Sequence, residues 1–261
     1  MTRPSALLIY AAAYLLFLYL PVLFLPLFSF SDGTIVAFPI KGWTLDWYRQ
    51  LAGQGTLLEA LGNSLIVGGV TAVFSTALGL FAARAYVRYR FPAREVSEGL
   101  VMLPLVVPGI IVASSMLVLF ISIGLKPSLS TVTLGHTFLA VPFSVSIMKS
   151  AFDGFDVSLE EASLDLGATV FETFYRVTLP IVLPGIVASL LVTFTVSFDE
   201  FVLAFFLSGN EPTLPVYIWS QIRFPAKLPN TLALGSLLLL ASVLLLILAE
   251  VFRRRSSARA L

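Results

Sequence analysis

The chain has 261 residues, of which 58% are hydrophobic and 12% charged, and its mean hydropathy is +0.96. Soluble domains carry about 25% charged residues, so this composition excludes an ordinary soluble domain and indicates an integral membrane protein. The net charge of +1 gives no reason to expect nucleic acid as a partner, and the absence of cysteine excludes disulfides and thiolate metal sites. With a single histidine, no metal site is expected.

Six apolar stretches are long enough to cross a bilayer, which requires about 20 residues of helix. The N-terminal stretch lacks the short apolar core and cleavage site of a secretory signal, so we interpret it as a retained span. We find no repeat or soluble domain, and we predict one all-α polytopic membrane domain over residues 1–261 with a cytoplasmic segment at 150–179. The predicted spans are residues 5–30, 60–83, 99–124, 128–149, 180–208 and 229–251.

Lysine and arginine are unevenly shared between alternate connections of these spans. The richer set has eleven: Arg3, Arg84, Arg88, Arg90, Arg94, Lys149, Arg176, Arg253, Arg254, Arg255 and Arg259. The poorer set has five: Lys41, Arg49, Lys126, Arg223 and Lys227. Because cytoplasmic loops are enriched in these residues, both termini and segment 150–179 are predicted to be cytoplasmic. The aromatic residues Trp43, Trp47, Tyr48 and Trp219 then fall in outer segments, at the membrane interface.

His136 lies in the fourth predicted span. An ionisable residue inside a membrane is a functional candidate by default. One histidine provides no ligand set, however, so a hydrogen bond to a neighbouring helix is the favoured interpretation.

Segment 150–179 is a polar island between apolar stretches. Ser158 is followed three residues later by Glu161, and Thr169 by Glu172, which is the capping-box pattern of a helix start. Gly167 lies between them, where a residue with positive φ commonly ends a helix. The segment is therefore predicted to form two short helices.

Acidic side chains outnumber basic ones by six to two between Lys149 and Leu179. Leu159, Ala162 and Leu166 are predicted to lie on one apolar face at helical spacing. Helices that rest on a bilayer usually carry lysine and arginine on their polar face. A protein partner with basic residues is therefore favoured over the membrane surface.

Asp199 and Glu200 interrupt the fifth predicted span. Each would cost about 2.5–3.5 kcal/mol facing lipid, so both should face protein or a water-filled cavity. Helical spacing places Glu200 on a small and polar stripe that runs from Thr193 through Ser197 to Ser208, with Asp199 about 100° away. Two interpretations stay open: an acidic site for a cationic substrate, or one carboxylate bonded to a helix while the other points to water near a helix break.

The sequence Glu161-Ala162-Ser163, followed by Gly167, Val177 and Leu179-Pro180, resembles the "EAA" loop of the permease subunits of bacterial ABC importers. Ser163 and Val177 are mild departures from that pattern. The resemblance implies a type I importer permease fold in which this loop is the coupling helix that contacts a cytoplasmic ATPase. The coupling residues that it implies are Ser158, Glu160, Glu161, Ala162, Asp165, Leu166, Gly167 and Ala168.

The chain contains no Gly-x-x-x-x-Gly-Lys-Ser/Thr phosphate-binding loop. Hydrolysis is therefore expected on a separate ATPase subunit, which would bind ATP and magnesium. We expect this chain to be a transport subunit without enzymatic activity and without a bound cofactor.

A wider stretch, from about residue 40 to 245, resembles permeases of the spermidine/putrescine type. The similar motifs are Trp43-Thr44-Leu45, Trp47-Tyr48, His136-Thr137-Phe138, Pro142-Phe143, Ser197-Phe198-Asp199-Glu200 and Leu214-Pro215-Val216-Tyr217-Ile218-Trp219. This resemblance implies a path for a small cationic solute, lined by Thr193, Ser197, Asp199, Glu200 and Trp219. Polyamine permeases often carry an acid after the proline that corresponds to Pro108, where this chain has Gly109. Aminoalkylphosphonates, opines, amino acids and ferric iron therefore stay open as substrates.

The partners implied by this resemblance are a second, homologous permease chain, two ATPase subunits, an extracytoplasmic substrate-binding protein and membrane lipid. The expected location is the bacterial plasma (inner) membrane. The rival class is a secondary transporter or channel, which often has paired broken helices, and the sequence does not indicate such breaks. A membrane anchor or sensor would require a signalling domain for which 261 residues leave no room.

Overall fold

The computed structural model describes residues 6–35 and 37–257, and every regular element within them is a helix. Five of these helices are long and apolar enough to cross a membrane, and a bent helix pair provides a sixth span if it is counted as one. The predicted all-α polytopic membrane fold is confirmed. Arg3 and Arg259 of the charge count, and residue 5 of the first predicted span, lie outside the described residues.

The residues group into two compact units, one formed by 1–57 with 218–261 and the other by 58–217. In chain order the helices are α1 (Ala6–Ser29), α2 (Asp46–Ala52), α3 (Gly55–Arg88), α4 (Arg94–Met102), α5 (Gly109–Ser122), α6 (Leu129–Asp153), α7 (Ser158–Asp165), α8 (Val170–Thr173), α9 (Leu179–Asp199), α10 (Val202–Leu207), α11 (Leu214–Ile222) and α12 (Leu228–Ser257).

In the first unit, α1 and α2 both pack against α12. The connection between α1 and α2 is held by polar contacts of two aromatic residues of α2. The hydroxyls of Ser29 and Tyr48 lie 2.6 Å apart, and the indole nitrogen of Trp47 donates to the carbonyl of Ser31 at 2.7 Å. Most side chains of α1 are exposed and apolar, which suits a helix surrounded by lipid.

In the second unit, α6 and α9 pack along their length, and hydroxyl groups join them to α3. Ser189 on α9 donates to Ser144 on α6 at 2.8 Å, and its oxygen lies 3.0 Å from the hydroxyl of Thr76 on α3. Small and hydroxyl-bearing residues hold membrane helices together because lipid competes equally well for apolar surface. These buried contacts therefore set which faces of α3, α6 and α9 meet.

The third predicted span is a bent pair rather than one helix. The segment Arg94–Leu105, which ends in a 3₁₀ turn, meets α5 at an angle of 100°. Pro108 caps α5 with an extended backbone, and because proline lacks an N–H and disfavours helical conformation in the residue before it, the helix is interrupted. The expectation that the chain has no broken helices is therefore wrong.

The fifth predicted span is also interrupted. Helix α9 ends at Asp199, the backbone of Glu200 is extended with ψ of 116°, and α10 begins at Val202. The predicted stripe from Thr193 to Ser208 on one helix is therefore wrong. Thr193 and Ser197 do share a buried face of α9, but Glu200 belongs to the break that follows.

Candidate functional site

Segment 150–179 contains the two predicted short helices, α7 and α8, joined by a tight turn at Gly167. The φ of Gly167 is +88°. The Gly167 N–H donates to the carbonyl of Leu164 at 2.9 Å, and the Ala168 N–H donates to the carbonyl of Ser163 at 3.2 Å. This pair of bonds is the Schellman arrangement, which ends a helix and satisfies its last carbonyls. The predicted role of Gly167 as the end of the first helix is confirmed.

Of the two predicted capping boxes, the second is confirmed and the first is wrong. Glu172 donates its N–H to the Thr169 hydroxyl at 3.3 Å, and its carboxylate accepts from the Thr169 N–H at 2.9 Å. Ser158, by contrast, is the first residue of α7 and makes no capping bond. The Ser158 N–H, which Glu161 would accept in a capping box, instead donates to the Asp156 carboxylate at 3.0 Å. An aspartate commonly accepts from the backbone N–H two residues later.

These bonds from Ser158, through its side chain and its backbone, lower the pKa of the Asp156 carboxyl below its ordinary value. A hydrogen bond that favours the charged form of a carboxyl has this effect. Asp156 is exposed, so it contributes negative charge to the surface of the segment at neutral pH.

The outer surface of the segment is both apolar and acidic. Leu166 is 89% exposed and Phe171 is 76% exposed. The exposed acids beside them include Glu161 on the first turn of α7 and Asp165 at its end. Exposed apolar side chains rimmed by charge are typical of a surface that binds another protein.

The inner surface of the segment is held by Glu160, whose side chain is only 12% exposed. Its carboxylate lies 3.4 Å from Arg88 and 4.0 Å from Arg84, both on α3. Thr178 donates to the same carboxylate at 2.5 Å. From the sequence, Arg84 and Arg88 contribute only to the charge count, although their spacing of four residues places both on one face at the end of an apolar helix.

Helix α8 continues into α9 without a loop. Phe174–Thr178 form a π-helical turn between them, so the candidate span runs as one helix from Val170 to Asp199. The predicted boundary between the cytoplasmic segment and the fifth span, at residues 179 and 180, is therefore not a break in the helix. A π turn often accommodates a disrupted hydrogen-bond ladder, and here it precedes Pro180, which lacks a donor.

The predicted coupling residues lie together in this segment. Ser158, Glu160, Glu161, Ala162 and Asp165 are on α7, and Leu166, Gly167 and Ala168 form the turn after it. Glu160 differs from the others because it points into the unit.

Asp199 and Glu200 have different surroundings at the break after α9. The Glu200 carboxylate accepts the N–H of Leu203 at 2.7 Å and so caps the first turn of α10. Asp199 is exposed at the last position of α9. The geometry gives Glu200 a structural contact and leaves the Asp199 side chain exposed.

The remaining predicted path residues have surroundings of their own. Thr193 and Ser197 are buried in the second unit, where Thr193 donates to the carbonyl of Ser189 at 2.7 Å. Ser197 lies 2.8 Å from Nδ1 of His136. This contact between α6 and α9 confirms the helix-to-helix hydrogen bond expected of His136. Trp219 lies on α11 in the first unit and is 48% exposed.

Among the described residues, no three His, Cys, Asp or Glu side chains are placed to hold a metal ion together.

Residues 75–258 match the family described as the binding-protein-dependent transport system inner membrane component. The spermidine/putrescine transport system permease protein PotC of Escherichia coli (strain K12) is 31% identical over 91% of this chain and 90% of its own length. The putrescine transport system permease protein PotI of the same organism is 33% identical over 85% of this chain and 82% of its own length.

Two solved structures share the fold. A chain of a bacterial ABC transporter involved in the import of the acidic polysaccharide alginate aligns with a TM-score of 0.72 at 18% identity, over 94% of this chain and 93% of that chain. A chain of the MetNI methionine ABC transporter aligns with a TM-score of 0.58 at 21% identity, over 80% of this chain and 96% of that chain. The chain therefore belongs to the binding-protein-dependent transport system inner membrane components, and it is an inner-membrane permease of an ABC importer.

Proposed function

We propose that this permease forms the translocation path for a small cationic solute, a polyamine, and is driven by two ATPase subunits that bind segment 150–179. The observation that carries the proposal is the similarity, over most of the chain, to relatives named for spermidine and putrescine. A second permease chain would complete the path, and an extracytoplasmic binding protein would deliver the solute.

The surface of segment 150–179 supports the ATPase contact. Leu166 and Phe171 are exposed beside Glu161 and Asp165, a composition that suits a groove with apolar walls and basic residues. Because α8 runs directly into α9, a partner that moves this segment also moves a membrane span.

Leu166→Ser tests the ATPase contact. Leu166 lies in the turn after α7 with its side chain almost fully exposed, so the replacement removes apolar contact area without opening the core. We expect the amount of ATPase that co-purifies with the permease to fall about tenfold, as for a central interface residue. Leu45→Ser, an exposed leucine of the first unit, is the matched control. Unchanged co-purification of the Leu166 variant would exclude this surface as the ATPase contact.

Asp199→Asn tests the cationic substrate. The exposed carboxylate at the end of α9 would pair with an ammonium group of the solute. We expect the KM for spermidine uptake into proteoliposomes to rise about tenfold, since close charge pairs contribute about 1.5 kcal/mol at the low end and about 1.4 kcal/mol corresponds to a factor of ten. Asp46→Asn, at an exposed acid that pairs with Arg49, should leave uptake unchanged. An unaltered KM in the Asp199 variant would contradict its proposed role.

The other broken span favours a second candidate, a less highly charged solute. The break before α5 has Pro108 and Gly109, and neither carries a charge. Competition of spermidine uptake by amino acids, aminoalkylphosphonates, opines and ferric iron separates the two candidates. Inhibition only by other polyamines supports the first.

A further inference from the structure

Two adjacent glutamates of α7 have opposite surroundings. Glu161 is exposed on the outer surface with Leu166, whereas Glu160 is buried against α3. We propose that Glu160 is a positioning residue that transmits movement of segment 150–179 to α3, while Glu161 faces the ATPase. This inference rests on the proposed function and assigns separate tasks to two residues that sequence analysis grouped together.

The charges around Glu160 are shielded from solvent. The side chains of Arg84 and Arg88 are 16% and 11% exposed, and both approach the one Glu160 carboxylate. Nη2 of Arg88 is buried and has no hydrogen-bond partner among the described residues. A glutamine in place of Glu160 would leave two shielded arginines without this counter-charge, and buried ion pairs are sensitive to the loss of one partner.

Aromatic rings fix the two arginines in place. The guanidinium of Arg84 lies 4.4 Å from the ring centre of Phe174, in the π turn, and that of Arg88 lies 4.8 Å from the ring centre of Phe155, just after α6. Cation–π contacts at this distance are favourable and orient the planar guanidinium. The Glu160 cluster, defined as Glu160, Arg84, Arg88 and Thr178, therefore joins α7 to α3 and to the turn that begins α9.

The elements on either side of the cluster are long and continuous. Helix α3 has 34 residues, about 50 Å at 1.5 Å per residue, which exceeds the thickness of the apolar bilayer core. On the other side, the Ser163 hydroxyl lies 2.9 Å from that of Thr173, so α7 is also bonded to α8. A displacement of α7 would thus reach α9 through α8, and the ion pairs of Glu160 with Arg84 and Arg88 would carry it directly to α3.

A coupling measurement distinguishes the two glutamates. In the complex reconstituted with its ATPase subunits, Glu160→Gln should keep ATPase co-purification but lower solute transported per ATP hydrolysed by about tenfold, within the range of mutations along coupling networks. Glu161→Gln, the matched control, should lower co-purification itself. Wild-type transport per ATP in the Glu160 variant overturns the inference alone. Absence of ATPase co-purification with the unaltered chain overturns the proposed function, and this inference with it.

A distance measurement keeps the inference testable if Glu160→Gln fails to fold. The chain has no cysteine, so spin labels can be placed at Tyr89→Cys, just after α3, and Leu164→Cys, near the end of α7 and outside the residues assigned to the ATPase contact. With Glu160 present, the distance should change by less than about 2 Å between nucleotide-free and ATP-bound complexes, the scale of sliding between packed helices. A larger change shows that α3 and α7 move independently and overturns the inference.

Thr178→Val provides the milder variant. It removes the hydroxyl that donates to Glu160 but keeps both ion pairs and nearly the same side-chain shape. Transport per ATP should fall by about threefold, the lower part of the same range. An unchanged ratio in a folded Thr178→Val complex argues against the cluster as the connection and overturns the inference.

Discussion

Adjacent acidic residues have different roles at two places in this permease. Glu200 caps α10 while Asp199 is exposed, and Glu160 binds arginines while Glu161 faces outward. In each pair the backbone places consecutive side chains on different sides, because neighbouring helical residues differ by about 100° and the chain leaves the helix after Asp199. Helical spacing separates the two members of each pair, but it does not say which group each carboxylate contacts.

Gly167→Ala is a prediction at the residue scale. The φ of +88° at Gly167 is unfavourable for alanine by about 1–2 kcal/mol, so the turn between α7 and α8 should be destabilised. Hydrogen exchange of the amides in residues 158–173 should become faster. Gly154→Ala is the control, because φ is −82° there and an added Cβ makes only ordinary contacts. Equal exchange rates in both variants would contradict this account.

At the scale of elements, breaks and close contacts determine how the spans are arranged. Two predicted spans are interrupted, at Pro108 and at Glu200, and in each case a short helix follows the break. Helices α5 and α10, which follow the breaks, pack together with buried apolar residues that include Ala113, Phe120 and Leu207. Broken helices alone therefore do not separate an ABC permease from a secondary transporter.

Gly79→Ala is the prediction for the contact between α3 and α6. A Cβ at Gly79 would overlap the side chain and backbone of Ser144, so the helices must separate. Such overpacking costs about 1–3 kcal/mol and should lower the Tm of the purified permease. Gly69→Ala on the same helix meets no atom within 4 Å and serves as the control. A Tm reduction of the same size in both variants would indicate a general effect of replacing glycine in α3.

For the whole molecule, orientation follows from charge rather than from packing. The richer set of lysine and arginine predicts that segment 150–179 is cytoplasmic and that the connection before α2 lies outside. The fold is compatible with either orientation in the absence of a membrane, so this assignment depends on sequence.

Single-cysteine labelling tests that orientation directly, because the chain has no cysteine of its own. In intact cells, a thiol reagent that does not cross the membrane should label Asp46→Cys, an exposed position before the second span. Ser158→Cys, exposed on α7, should react only after the membrane is opened. The opposite pattern would reverse the predicted topology.

Much of the fold and part of the candidate site could be predicted from the sequence. The lengths of the apolar stretches predicted membrane spans, and Gly167 and the Thr169–Glu172 pair predicted the second short helix, because these signals depend on neighbours in the chain. The predicted capping box at Ser158 was wrong because Asp156, rather than Glu161, accepts the Ser158 N–H. Local patterns do not decide between two nearby acceptors.

The sequence by itself determined the membrane class and the resemblance to ABC importer permeases, since hydropathy and the Glu161 to Pro180 motif are local properties. Tertiary structure alone decided that Glu160 binds Arg84 and Arg88, which are more than 70 residues earlier in the chain. It also decided that Ser197 meets His136 from another helix. The physical reason is that a carboxylate, hydroxyl or imidazole can pair with any suitable group within about 3–4 Å, and only the packing of the helices selects which one.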